Sequence, residues 1–308
     1  MKTLLVLAIS TFLFNGSFSQ TANADPNTKP CPNKGRGLIA HADSTLVQNV
    51  KTFIVKEAGL PLAKTFYNAW SKSEKPTVVV YVSLCDKVRS IDEKISRYFG
   101  IDEEFAKTVA SRHESAGHHV FIYKTYATSV AELNNKFISY SNEAKCFILF
   151  HEFIHHFRRD LRLTIPYEYE EALGDVVGNY GAMEFHRAFG SLDSKRLRSQ
   201  RLVNEKIYNI INKTSVTIDR KPEEADALNS KCQKRIEKLL ADGNSFQKDR
   251  FAYHVNNAYL LKNRYYSEKY FLLQRLFQKS GTLSNFLNIF KNCPQDRKDF
   301  ESYLNNFL

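Results

Sequence analysis

Residues 148–157 read Ile148-Leu149-Phe150-His151-Glu152-Phe153-Ile154-His155-His156-Phe157, and His151 to His155 fit the pattern H-E-x-x-H. On an α-helix, positions i and i+4 share a face, so His151 and His155 can aim two imidazole nitrogens at one Zn²⁺. Glu152, beside the first imidazole, can take a proton from a water held at that ion. Phe147, Ile148, Leu149, Phe150, Phe153, Ile154 and Phe157 surround this triad with apolar side chains, so the helix is expected to be buried. Two histidines and a glutamate in a core would be costly unless a metal ion or other partners satisfied them.

A catalytic zinc needs a third protein ligand and an open position. Downstream stands Tyr167-Glu168-Tyr169-Glu170-Glu171-Ala172-Leu173-Gly174-Asp175-Val176-Val177-Gly178. This segment resembles the second metal helix of the thermolysin-like zinc peptidases, the gluzincins. The resemblance implies Glu171 as third ligand and Asp175 as the carboxylate that orients the imidazole of His151. The spacing agrees, because Glu171 and Asp175 are one turn apart on one helical face. Glu170 stands where the family has Asn and is a competing ligand; Glu168 is a further candidate. Adjacent helical residues point roughly 100° apart, so Glu170 and Glu171 cannot both face the metal. Glu170 should point toward Gly174 and Val177, and its loss should cost little metal affinity.

Elsewhere, apolar spacing predicts a helix over residues 44–70, interrupted at Gly59-Leu60-Pro61. Val78–Val82 reads as a strand, as do residues 119–124, whereas Ile91–Phe99 and Glu103–Arg112 read as short helices. The resemblance implies a sheet with an edge strand that holds substrate backbone, and residues 118–126 are the candidate for it. His113, His118 and His119 read as surface residues. The metal helices are expected at about 140–161 and 167–188, and the remainder reads as helical with loops near 213–222 and 242–247.

The expected fold class is therefore α+β, zincin-like. A mixed α/β lobe over 43–190, with a small sheet packed on the H-E-x-x-H helix, precedes a helical lobe over 191–308. Late in the chain, Asn256-Asn257-Ala258-Tyr259-Leu260 runs into Tyr265-Tyr266. This is similar to a group of bacterial zinc aminopeptidases, over roughly residues 145–185 and 250–295. Gluzincins supply a Tyr or His from the helical lobe to stabilise the reaction's oxyanion. Tyr266 and His254, with Tyr253 and Tyr265, are the candidates here. Gly181-Ala182-Met183-Glu184 lies on the wrong side of H-E-x-x-H to serve as an exopeptidase motif.

Met1-Lys2, an apolar run from Leu4 to Phe14 and small residues to Ser19 read as a secretory signal peptide, which implies a secreted or periplasmic protein. Residues 20–42 read as a mobile leader. The formal charge of +11 suggests loose association with acidic envelope surfaces, and its basic clusters read as solvated helix faces rather than a nucleic-acid site. Of five cysteines, Cys146 reads as a buried thiol, leaving Cys31, Cys85, Cys232 and Cys293 for two bridges. Asn212-Lys213-Thr214 is a glycosylation sequon. The expected activity is hydrolysis of peptide or protein substrates, with endo- and exopeptidase action both open. A non-catalytic zincin-fold binding protein of the envelope is the alternative.

Overall fold

The computed structural model describes residues 41–59, 62, 76–91, 97–125, 135–294 and 296–308. The signal peptide, most of the leader, Cys31 and most of residues 60–75 lie outside them. The described chain is mostly helical with one small antiparallel sheet, a coarse α+β arrangement. No described helix is long and apolar enough to cross a membrane.

The first helix, α1 (His41–Ala58), stops at Gly59, whose positive φ ends it. The sheet follows, ordered β2 (Arg97–Ile101), β1 (Thr77–Ser83), β3 (His119–Thr125), both pairings antiparallel. Its central strand alternates between two cores. Val78, Val80 and Val82 pack on α2 (Glu103–Ser115), while Val79 and Tyr81 face the main core with Phe121. A side-chain period of two on a doubly covered strand requires this. Among the described residues β3 is an edge of the sheet, as expected for residues 118–126.

Two expectations fail here. Residues 97–101 form a strand instead of the end of a helix; Gly100, at positive φ, takes up the register shift between Val78↔Ile101 and Val79↔Phe99. The pairing with β1 is non-local and left no period in the sequence. Residues 213–220 are not a loop, because α6 (Ser194–Arg220) runs through them on buried Thr214, Ser215 and Ile218. The sequon residue Asn212 lies in that helix, and its amide donates to the Ser267 carbonyl.

After a short α3 (Asn135–Ser139), α4 (Asn142–Asp160) begins at Ser141, whose hydroxyl caps the Ala144 N–H. It runs antiparallel to α5 (Tyr167–Phe189), with Phe147 beside Gly178 and His151 beside Gly174. The remaining helices are α7 (Ala225–Leu240), α8 (Ser245–Phe251), α9 (Asn257–Ser267), α10 (Tyr270–Ser280), α11 (Leu283–Lys291) and α12 (Arg297–Asn305). One hydrophobic core extends from Leu46 to Leu304, continuous across residue 190. The basic stretches of α6 and α7 do present exposed lysines and arginines. Cys85, Cys146, Cys232 and Cys293 are all free thiols, which overturns the two-bridge expectation. Cys232 and Cys293 pack in the core as small apolar groups, and the Cys85 thiol donates to the Gly117 carbonyl.

Candidate metal centre

Close packing of α4 on α5 builds the site. A Cβ on Gly174 would sit 2.8 Å from Nδ1 and Cε1 of His151, and one on Gly178 would sit 2.9 Å from the Phe147 ring. Glycine at these positions lets the helices approach until the side chains of one face reach the other's carboxylates.

His151, His155 and Glu171 converge as a group that can hold a metal ion. Oε2 of Glu171 lies 3.5 Å from Nε2 of His151 and 4.0 Å from Nε2 of His155. Donors around a tetrahedral ion at ordinary zinc bond lengths sit about 3.3–3.6 Å apart; the His151 separation falls in that range and the His155 separation is wider by a few tenths of an ångström.

Each imidazole is oriented from behind. Nδ1 of His151 meets Oδ1 of Asp175 at 2.9 Å, and Nδ1 of His155 meets Oε1 of Glu170 at 2.7 Å. Carboxylates only accept, so both Nδ1 atoms carry a proton, and the Nε2 atoms of both rings face Glu171. Burial opposes charge on His151, but Asp175 and Glu171 outweigh it and raise its pKa to about 10. His155 is shifted upward for the same reasons, through Glu170 and Glu171. The cluster therefore attracts positive charge strongly.

Glu170 lies outside the group that can hold a metal ion. Turned away from Glu171, it meets His155 and, at 2.8 Å, Nε of Arg158. This pairing leaves no local pattern, because both partners are on α4. Asp175 is fully buried and accepts from Nη2 of Arg250 at 2.6 Å and from the Tyr208 hydroxyl. Burial alone would raise its pKa; the Arg250 charge and His151 hold it below the usual carboxylate range. Arg250 is itself encased by the rings of Phe147, Tyr208, Phe251 and Tyr266. Neither Arg250 nor Tyr208 was legible as a site residue, since both reach Asp175 from distant helices.

Glu152 is buried at the cleft surface, and its Oε2 has no hydrogen-bond partner. Burial raises its pKa, while the two histidines pull it down and Glu171 and Glu170 push it up. The cleft, about 670 Å³, is walled by the sheet through Tyr81 and Tyr123 and floored by α4. Tyr266 lines it, its ring stacked 6.1 Å from that of His151. Burial and the nearby Glu171 raise the Tyr266 pKa well above its ordinary value, so it remains a phenol.

The other named residues lie elsewhere. His254 is exposed and does not line the cleft, because the chain turns outward between α8 and α9. Tyr265 packs on Tyr167, Tyr253 packs on Phe121 and Tyr123, and Glu184 accepts from the Leu283 N–H. His113 accepts or donates at the Tyr98 hydroxyl, and His119 accepts from the Asn257 N–H. The chain matches no protein-family model, no curated protein and no solved structure.

Proposed function

We propose that the chain is an exported, zinc-dependent peptidase of zincin-like architecture. The observation that carries this reading is a buried carboxylate oxygen without a hydrogen-bond partner, Oε2 of Glu152, beside three convergent metal donors. Two imidazoles and one carboxylate with a free approach from a cleft are the donor set of a catalytic zinc. Bound there, the ion would acidify water and polarise a carbonyl.

The chain's own residues account for the rest. Glu152, its affinity for a proton raised by burial, takes the proton from the attacking water and passes it to the departing amine. Tyr266, held as a phenol, donates to the oxygen that gains charge as the carbonyl is attacked. Glu170 and Asp175 keep both imidazoles in the tautomer that binds metal. Thr77, Val79 and Tyr81 of β1, Phe99 and Gly100 of β2, and Tyr123 and Thr125 of β3 line the cleft, so extended peptide can lie between the sheet and α4.

The test is metal analysis of the purified protein together with hydrolysis of a mixed peptide library. Activity should vanish with a chelator, return with Zn²⁺ and be absent from Glu152→Gln. Metal at full occupancy with no peptide cleaved would reject the peptidase reading.

A further inference from the structure

The cleft floor is one stripe of α4 at spacings of three and four residues: Phe147 and Ile148, then His151 and Glu152, then His155, then Arg158 and Arg159. Its two ends differ. At the N-terminal end Phe147 and Ile148 are buried and Phe246 leans over them, its ring 5.4 Å from that of Phe147. At the C-terminal end the side chains of Arg158 and Arg159 remain 40% and 49% exposed. The metal donors lie between an apolar wall and a basic one.

The carboxylates near the metal donors neutralise that basic end only in part, at Arg158. Asp175 is committed to His151, Arg250 and Tyr208, and Glu170 is shared between His155 and Arg158. Arg159 touches His156 and lies 3.5 Å from Asp160, which occupies only part of its five-donor fork.

We propose that the cleft selects peptides bearing a carboxylate toward Arg159 and an apolar or aromatic side chain toward Phe147 and Phe246. The selection concerns binding; only the placement of the cut between the two groups rests on the peptidase reading. From midway between His151 and His155 to Arg159 the helix rises about 9 Å, and helical side chains lean back toward the N-terminus. Extended peptide advances about 3.3 Å per residue, so the carboxylate sits roughly two residues from the carbonyl at the metal. A planar guanidinium matches such a carboxylate with two parallel hydrogen bonds.

The experiment uses paired fluorescent peptides with one aromatic residue: Glu against Gln two residues away, and a free C-terminus against an amide at the same distance. Binding is read by anisotropy on Glu152→Gln protein, and hydrolysis on the unsubstituted protein. The acidic member of at least one pair should bind about tenfold tighter or more, with the gap narrowing as salt rises. The pair that responds tells a side chain from a terminus. Arg159→Glu should abolish or invert the gap, and Arg159→Lys should keep part of it, both with an unchanged circular dichroism spectrum. Equal binding within both pairs, or a gap untouched by Arg159→Glu, overturns the proposal. Hydrolysis without carboxylate preference would leave the peptidase reading standing alone. A preference that depends on Arg159, without hydrolysis, would do the reverse.

Discussion

Nδ1 of His155 and Oε1 of Glu170 stand 2.7 Å apart, the counterpart of His151 and Asp175 at 2.9 Å. A single helix, α5, therefore supplies three carboxylates in three different positions: Glu170 behind one imidazole, Asp175 behind the other, and Glu171 in the group that can hold a metal ion. Glu171→Gln, His151→Ala and His155→Ala should each remove most metal affinity, since two protein donors hold zinc poorly. Asp175→Asn and Glu170→Gln should each lower it by about 10–100-fold. Metal titration showing Glu170→Gln at the unsubstituted affinity would refute the role given to that residue.

Glu152→Gln should retain the fold and close to one metal ion per chain while hydrolysis falls by two orders of magnitude or more, because a positioned base is lost. Turnover unchanged in this variant would move the chemistry elsewhere.

Gly174→Ala and Gly178→Ala separate site from packing. A methyl at residue 174 would press on the His151 ring at 2.8 Å, whereas one at 178 would meet the Phe147 ring at 2.9 Å and its carbonyl oxygen at 3.0 Å. Gly178→Ala should destabilise by about 1–3 kcal/mol through overpacking. Gly174→Ala should lower metal affinity out of proportion to its effect on Tm. Thermal melts and metal titrations of both variants decide this, and equal loss of affinity in the two would count against it.

Arg250→Met should be among the most damaging substitutions away from the ligands. It takes the guanidinium from the buried Asp175 carboxylate and leaves it only His151 and Tyr208, a defect that costs about 3 kcal/mol. Tyr208→Phe removes one neutral donor to the same carboxylate and should cost about 1–2 kcal/mol. Chemical denaturation ranks the two, and a reversed order would contradict this account of Asp175.

Lys262 carries a pH dependence. Burial first, then the Arg250 charge, push its pKa down to about 7, with Asp175 and Glu171 opposing. The ammonium lies over the rings of Tyr123 and Tyr266 at 4.3 and 4.7 Å. Between pH 7 and the ordinary lysine value the unfolded chain binds a proton that the native state does not, so this residue makes stability rise with pH. Below pH 7 the full penalty of burying the charge applies. Lys262→Met should therefore raise Tm most at pH 7 and below, with the advantage shrinking toward pH 10. An equal gain at all pH values would show that Lys262 is not titrating.

What the sequence disclosed followed its periodicity. His151, Glu152, His155, Glu171 and Asp175 stand at helical spacing within one hairpin of helices, where three and four residues are enough to predict proximity. β1 was legible because valines without charges mark a strand covered on both faces. β2 was not, since Arg97–Ile101 owes its conformation to β1 and to the positive φ of Gly100. Glu170, weighed only as an alternative to Glu171, has partners that were hidden for the same kind of reason: His155 and Arg158 are on the other helix. Arg250 and Tyr208 reach Asp175 across 75 and 33 residues, separations at which no local pattern speaks.

The aromatic casing around Arg250 also sets an order of events during synthesis. His151, His155 and Glu171 leave the ribosome long before Tyr208, Arg250 and Tyr266, which neutralise Asp175 and cover the His151 ring. A nascent chain ending near residue 190 carries all three donors, but its Asp175 has only His151 where the finished protein adds Arg250 and Tyr208. The cluster should therefore take its final form as one of the last acts of folding, once α6, α8 and α9 have supplied Tyr208, Arg250 and Tyr266.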